Sequence, residues 1–477
     1  MKKIPLVVDL DGTLVKTDMF LESVVQARTS SWSRFLQLLF AIKNGRASIK
    51  EHFAESFEFD PASLPFRKEV LDLIENRIAE GDPIVLATGA AAKIAGRVAN
   101  EAGFFNSLHF SAGKTNLTGS KKAEVLQEIY GYKGFDYVGD SPKDEPVWLA
   151  SRKAYLVGGN FWAKRTFLRL GTGVQLQGSR NVSSVRNWFR ALRIHQWVKN
   201  FLVFVPAIAA QRIFEPSVAF DLLIAFVVLG ILASAVYLIN DIVDIQNDRS
   251  HTTKKLRPIA NGDISIASAI LAAITLVLAA GLFSTALPWG FSASLLGYFL
   301  LTTLYSLRLK QVLVVDVLAL SALYSLRLVA GGLAVSIPVS SWLLAVSFFV
   351  FLSLALVKRS GELSQSSKVS GVLSRGRSYR IQDLQVVNSL GISSGLISAV
   401  VFALYLDSQT ANNLYESHNV LWAALPILVF WISWIWIQTG RGEVNEDPIA
   451  FALKDRASLI SGALVFLVFL VAQSGLL

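Results

Sequence analysis

The chain of 477 residues contains no cysteine, which excludes disulfides, cysteine-ligated zinc and thiol catalysis. Charge is also scarce, at 17% of residues, where a soluble domain carries about a quarter. Together with 53% hydrophobic residues, this excludes a disordered chain and argues against one large soluble domain. No secretory signal peptide is expected, because the apolar run after Lys2 and Lys3 breaks at Asp9. Basic residues outnumber acidic ones, 45 to 35, for a net charge of +10. That excess suits nucleic acid, anionic lipid or phosphate-rich substrates alike.

The apolar residues are unevenly spread. Residues 1–159 read as an α/β unit with strands over Ile4–Leu10, Pro83–Thr88 and Phe135–Val138. From residue 196 to 477 long apolar runs recur, at 197–214, 218–240, 264–287, 289–307, 312–335, 341–357, 390–406, 420–438 and 459–476. These make about nine spans, each near the roughly 20 residues that cross a hydrocarbon core. Basic residues gather in the connections after every second span: Arg249, Lys254, Lys255 and Arg257; Arg308 and Lys310; Lys358, Arg359, Lys368, Arg375, Arg377 and Arg380; Arg441, Lys454 and Arg456. The other connections hold only Arg212. The positive-inside rule then puts these loops and the N-terminal unit in the cytoplasm, beside the inner (plasma) membrane. Residues 160–195 interleave Arg and Lys with Trp162, Phe167, Trp188 and Phe189, which suits an amphipathic segment on anionic headgroups.

Asp9-Leu10-Asp11-Gly12-Thr13 closes the first strand. Residues i and i+2 of a strand project together, so Asp9 and Asp11 share its carboxyl edge, where open α/β sheets bind ligands. Paired carboxylates there suit a nucleophile and a general acid/base around a cation. Thr88 ends the second strand, Lys121 and Lys122 open a helix, and Gly139-Asp140-Ser141 follows the third strand, with Asp144 next. This ordered set resembles the haloacid dehalogenase superfamily of phosphotransferases. The resemblance implies a Rossmann-like α/β fold with a helical cap inserted over Phe20–Phe66. It makes Asp9 the nucleophile, Asp11 the general acid/base, and Thr88 and Lys122 the phosphoryl holders, Lys122 fitting the spacing better than Lys121. Asp9, Asp11, Asp140 and Asp144 would then surround Mg²⁺.

A second acidic group follows the second span: Asn240, Asp241, Asp244 and Asp248. On one continuous helix the three acids fall within roughly 60° of arc. Their repulsion calls for a divalent cation, and Mg²⁺ prefers carboxylates shared with phosphate oxygens, so a diphosphate is the expected ligand. Lys254 and Arg257 would meet its remaining charge. Asp316 and Arg327 lie inside the fifth span about three turns apart, so each needs a partner elsewhere.

The spans, Asn240–Asp248 and Tyr305-Ser306-Leu307-Arg308-Leu309-Lys310 resemble the UbiA-type intramembrane prenyltransferases, implying an all-α membrane bundle. The loop after the sixth span lacks that superfamily's second acidic motif and reads Lys358-Arg359-Ser360-Gly361-Glu362-Leu363. With Arg193–Asn200 and the stretch Glu446-Asp447-Pro448, it resembles the polyprenyl-phosphate phosphoribosyltransferase branch. The resemblance implies Mg²⁺ and phosphoribosyl diphosphate at Asn240, Asp241, Asp244 and Asp248, and a polyprenyl phosphate is assigned to Lys199, Lys310, Lys358 and Arg359, with Tyr305 a further substrate-binding residue. The N-terminal unit would then remove the 5-phosphate, giving a ribosyl lipid for cell-envelope synthesis. An aromatic prenyltransferase using prenyl diphosphate, with a separate phosphatase, is the alternative; a transporter fits less well, because the acids cluster at one membrane edge. Nucleic acid is not an expected partner, since the positive charge sits on loops beside lipid.

Overall fold

The structure is a computed structural model that describes residues 3–30, 51–55, 57–111, 116–171, 173–176, 184–368, 378–415, 417–444 and 447–474. Much of the expected cap, and Arg375, Arg377 and Glu446, lie outside these residues. Two compact units result: Met1–Arg193 with Tyr237–Ile274, and Ile194–Val236 with Thr275–Leu477. The acid-bearing segment expected in the membrane part therefore packs with the N-terminal residues.

The first unit is built on a parallel six-stranded sheet, β1 (Leu6–Val8), β2 (Ile84–Ala91), β3 (Ser107–Ser111), β4 (Asp136–Gly139), β5 (Ala154–Val157) and β6 (Gly173–Leu176), in the order β3-β2-β1-β4-β5-β6. Strand alternation splits its apolar residues between two faces. Leu6, Val8, Ile84, Leu86 and Val138 enter one core; Val7, Val85, Ala87 and Tyr137 enter the other. Because β1 has β2 on one side and β4 on the other, strand order reverses beside it, and a crevice opens at the carboxyl ends of β1 and β4. Part of the expected juxtamembrane segment belongs to this sheet, since β6 pairs with β5. It is flanked by helices Phe161–Arg169 and Ser184–Leu192, where Phe161, Trp162, Leu168, Val185 and Phe189 are exposed.

The second unit is helical. Among the described residues, eight helices are long and apolar enough to cross a membrane: Pro216–Val243, Ile266–Ser284, Trp289–Leu307, Val315–Ala334, Ser341–Ser364, Ile381–Leu406, His418–Arg441 and Arg456–Gln473. They match eight of the nine expected spans. The first, 197–214, instead forms a tight 3-10 helix over Ile194–Phe204 and a short α-helix over Val205–Ala209, with Pro206 at the junction.

Candidate active site

Asp9 follows β1 directly, and its N–H bonds the Val138 carbonyl at 3.2 Å, closing the strand end onto β4. Its carboxylate meets the buried Lys122 Nζ at 2.9 Å. The neighbouring Lys121 is exposed and pairs with Glu124, so the lysine of the crevice is Lys122. Thr88 is fully buried in β2, and its Oγ1 accepts the Ala90 N–H at 3.0 Å. Asp144 accepts from the Tyr137 hydroxyl at 2.8 Å and from the Ser141 N–H at 3.1 Å. Tyr137 also receives the Lys122 ammonium at 3.1 Å. It was not anticipated as a site residue, although its place in β4, two residues before Gly139, was a usable signal.

Gly12 is required here. Its φ is +74°, and a Cβ would stand 2.3 Å from an Asp140 oxygen. The Gly12 carbonyl in turn accepts Arg67 Nε at 2.9 Å. The carboxylates of Asp9, Asp140 and Asp144 each offer an oxygen within 4.8 Å of the others, a donor set that fits a hard divalent cation. Asp11 does not join that set as expected. One of its oxygens accepts the Met19 N–H at 2.9 Å and fastens the start of helix Met19–Ser30.

Crowding three acids has an electrostatic price. Burial, then the charges of Asp144 and Asp9, push the Asp140 carboxyl up to about 7, against the pull of Arg67 and Thr13. Burial and Asp9 also raise Asp144. Burial would lower Lys122, but Asp9 and Asp144 outweigh it and hold the ammonium charged. A carboxyl raised on folding favours the protonated state, so metal-free stability falls as pH climbs from the ordinary carboxylate range through about 7. We expect Mg²⁺ to raise the melting temperature more at about pH 8 than at about pH 6, where it must displace a proton. Asp140→Asn should raise the metal-free melting temperature and flatten that pH dependence. Thermal unfolding with and without Mg²⁺ checks both.

In the second acidic group, helix Pro216–Val243 gives way at Asp244 to a short helix, Ile245–Arg249, yet helical bonding carries across: the Asp244 N–H bonds the Asn240 carbonyl at 2.9 Å and the Asp248 N–H the Asp244 carbonyl at 2.8 Å. Arginines bind the acids: Arg193 and Arg257 both pair with Asp241, the latter at 3.3 Å, and Arg257 reaches Asp248 at 2.7 Å. Among the described residues these acids form no three-carboxylate set like that in the crevice. Asn240 and Asp244 are half-buried beside them, as is Lys254 on its 3-10 turn. Arg193 enters the sequence reading through the basic stretch and the Arg193–Asn200 resemblance; nothing in local spacing ties it to Asp241, 48 residues on.

In the second unit, Lys199 pairs with Asp447 at 2.6 Å. Asp447 lies outside the spans; burial works against its charge, but Lys199 holds its carboxyl below the ordinary range. Lys358 is half-buried on helix Ser341–Lys368, and Lys310 is half-buried on the turn Leu309–Gln311. Arg359 does not offer a free guanidinium. It is 1% exposed, pairs with Asp316 at 2.5 Å and with Glu362, and donates to the Tyr305 hydroxyl at 3.2 Å. Tyr305 donates to Asp316 at 2.9 Å. Arg359, expected at the lipid phosphate, and Tyr305, expected to bind substrate, thus belong to a buried bridge between spans, which also supplies Asp316 with its partner. Arg327 finds Asn200 at 3.1 Å and the Tyr298 hydroxyl at 2.7 Å.

The family model of the UbiA prenyltransferases matches residues 201–459, more than half of the chain. The chain belongs to the UbiA prenyltransferase family. Its UbiA part makes it an integral membrane protein of an enzyme family. The uncharacterized protein y4nM of Sinorhizobium fredii is 35% identical over 475 residues, 99% of this chain and 92% of that one. The nodulation protein NoeC of Azorhizobium caulinodans is 31% identical over 289 residues, 60% of this chain and 94% of its own. The decaprenyl-phosphate phosphoribosyltransferase of Mycolicibacterium smegmatis is 30% identical over 278 residues, 57% of this chain and 87% of its own. The first of these likenesses runs through nearly the whole chain, the α/β unit included.

Proposed function

We propose that this UbiA protein transfers 5-phosphoribose from phosphoribosyl diphosphate to a polyprenyl phosphate, and that its N-terminal domain then hydrolyses the 5-phosphate. The observation that carries the first step is the 30% identity to a decaprenyl-phosphate phosphoribosyltransferase across 87% of that protein. The second step rests on the convergence of Asp9, Lys122, Asp140 and Asp144 at one sheet edge. The reading places the N-terminal domain on the cytoplasmic side of the inner membrane, where phosphoribosyl diphosphate is found.

In the transfer, a lipid phosphate oxygen attacks the anomeric carbon and pyrophosphate leaves with the bonding pair. Asp241, Asp244 and Asp248 face the Mg²⁺-diphosphate substrate, and Arg257, Lys254 and Asn240 its phosphate oxygens. Arg193 and Arg257 keep the acids paired until substrate arrives. Lys199, Lys310 and Lys358 hold the lipid phosphate, and Arg359 with Tyr305 shapes the wall behind them.

In the hydrolysis, an Asp9 oxygen attacks phosphorus and the ribose 5-oxygen leaves, protonated by Asp11. Asp11 then takes a proton from the water that opens the aspartyl phosphate. Thr88 and Lys122 hold the phosphoryl oxygens. Mg²⁺ held by Asp9, Asp140 and Asp144 would neutralise phosphoryl charge.

The test is mass spectrometry of lipids made by the purified protein from a long-chain polyprenyl phosphate and phosphoribosyl diphosphate. Polyprenyl-phosphoryl-ribose is the expected product. A product formed only from a prenyl diphosphate and an aromatic acceptor would overturn the reading.

A further inference from the structure

Glu22 and Arg249 lie 227 positions apart and form a buried, two-point ion pair: Arg249 Nη1 reaches one Glu22 oxygen at 2.9 Å and Nη2 the other at 2.7 Å. Their side chains are 0% and 2% exposed. Each oxygen takes one further donor, the Thr17 hydroxyl on one and the Gln246 amide at 2.7 Å on the other. Arg249 Nε completes the set on the Ala260 carbonyl at 3.0 Å. Such a pair is expensive to bury and is stable only when its polar atoms find partners, as each nitrogen of Arg249 and each oxygen of Glu22 does here. Its geometry is a bidentate fork, the most directional that two side chains form.

What the pair joins gives it meaning. On one side is the loop from Asp11 to Met19. Its ends are fixed by the Met19 N–H on Asp11 and by the Gly12 N–H on the Thr17 carbonyl at 3.2 Å, and Thr17 itself is held by Glu22. On the other side is the short helix Ile245–Arg249, which carries Asp248 next to Arg249 and connects through Arg257 to Asp241. A second, independent contact seals the same junction. Gly262 has φ +73°, and a Cβ there would stand 2.5 Å from the Cβ of Lys16; Lys16 also pairs with Asp263 at 3.6 Å. The turn at Gly262, which follows the acidic segment, therefore lies against the loop that carries Asp11, with no room for a methyl group.

We infer that Glu22 and Arg249 are positioning residues that set the Asp11–Met19 loop and the Asp248 helix against each other, so that each acidic site is held in register by the other. This rests on the proposed function for its enzymatic readout but not for its structural one.

The test uses the full-length protein in nanodiscs, with Glu22→Gln, Arg249→Lys, Arg249→Ala and the exchanged pair Glu22→Arg/Arg249→Glu. Hydrogen exchange is read at residues 11–19 and 245–262. Arg249→Ala should speed exchange at 11–19, and Glu22→Gln should speed it at 245–262, a reciprocal effect across the chain. Hydrolysis of a soluble phosphate monoester by Arg249→Ala should fall about tenfold in kcat with KM little changed, as a small misplacement of a catalytic loop does. Arg249→Lys and the exchanged pair should recover part of both. If Arg249→Ala does not fold, Glu22→Gln and Arg249→Lys, which nearly preserve volume, carry the same comparison. Unchanged exchange at 11–19 in every Arg249 variant overturns the inference. Reciprocal exchange in a protein without monoesterase activity supports it and instead removes the phosphatase reading.

Discussion

Asp9→Asn should still label lipid from phosphoribosyl diphosphate, but the product should keep its 5-phosphate. The carboxamide retains the shape of the side chain and loses both the nucleophilic oxygen and the charge opposite Lys122 at 2.9 Å. The other carboxylates of the crevice are each engaged: Asp11 by the Met19 N–H, Asp140 by the Thr13 hydroxyl at 3.3 Å, and Asp144 by Tyr137 and Ser141. The loss of monoester hydrolysis should therefore be at least about 10³-fold, the scale seen when a nucleophile is removed. Lipid labelling should stay within about twofold, because the replaced atoms take no part in it. Mass spectrometry separates the two products by one phosphate. A fully dephosphorylated lipid from Asp9→Asn would show that another group performs the hydrolysis.

The largest effect on stability is expected at Asp316. Its carboxylate is 0% exposed and meets Arg359, itself 1% exposed, together with the Tyr305 hydroxyl. Asp316→Asn leaves that guanidinium buried with Glu362 as its one acidic partner among the described residues. Breaking a buried pair from one side costs about 3–5 kcal/mol, whereas replacing both partners with apolar groups is often neutral. Unfolding in detergent should show a marked loss for Asp316→Asn and substantial recovery for Asp316→Leu/Arg359→Met. The double variant also separates two roles. Recovered stability with normal lipid labelling makes the bridge architectural; recovered stability without labelling means that the wall it forms touches substrate.

How far the sequence could be read depended on the range of the interaction. Asp9, Asp140 and the strands that carry them were legible because strand alternation and a β–turn signature act within a few residues. The choice of Lys122 over Lys121 became certain only when the helix over Ser120–Tyr130 turned one lysine inward to Asp9 and the other to Glu124. Strand β3, Ser-Leu-His-Phe-Ser, escaped notice because an edge strand with half-buried residues has no apolar run to betray it. The acids near Asp244 were legible from their spacing, but the break at Asp244 was not, since no proline or glycine marks it, and neither were the arginines that pair with them. Arg193 with Asp241 and Arg249 with Glu22 are contacts between distant segments, and no local pattern encodes them.

The tight helix at Ile194–Phe204 changes what the first expected span can reach. Eleven residues wound at about 2.0 Å each, followed by the five of Val205–Ala209 at about 1.5 Å, extend up to roughly 30 Å, the thickness of a hydrocarbon core. The same residues in one α-helix would reach only about 24 Å. Stretched winding thus gives the length of a span to a segment too short to stand among the eight long apolar helices of the described residues, and Asn200 ties it to Arg327.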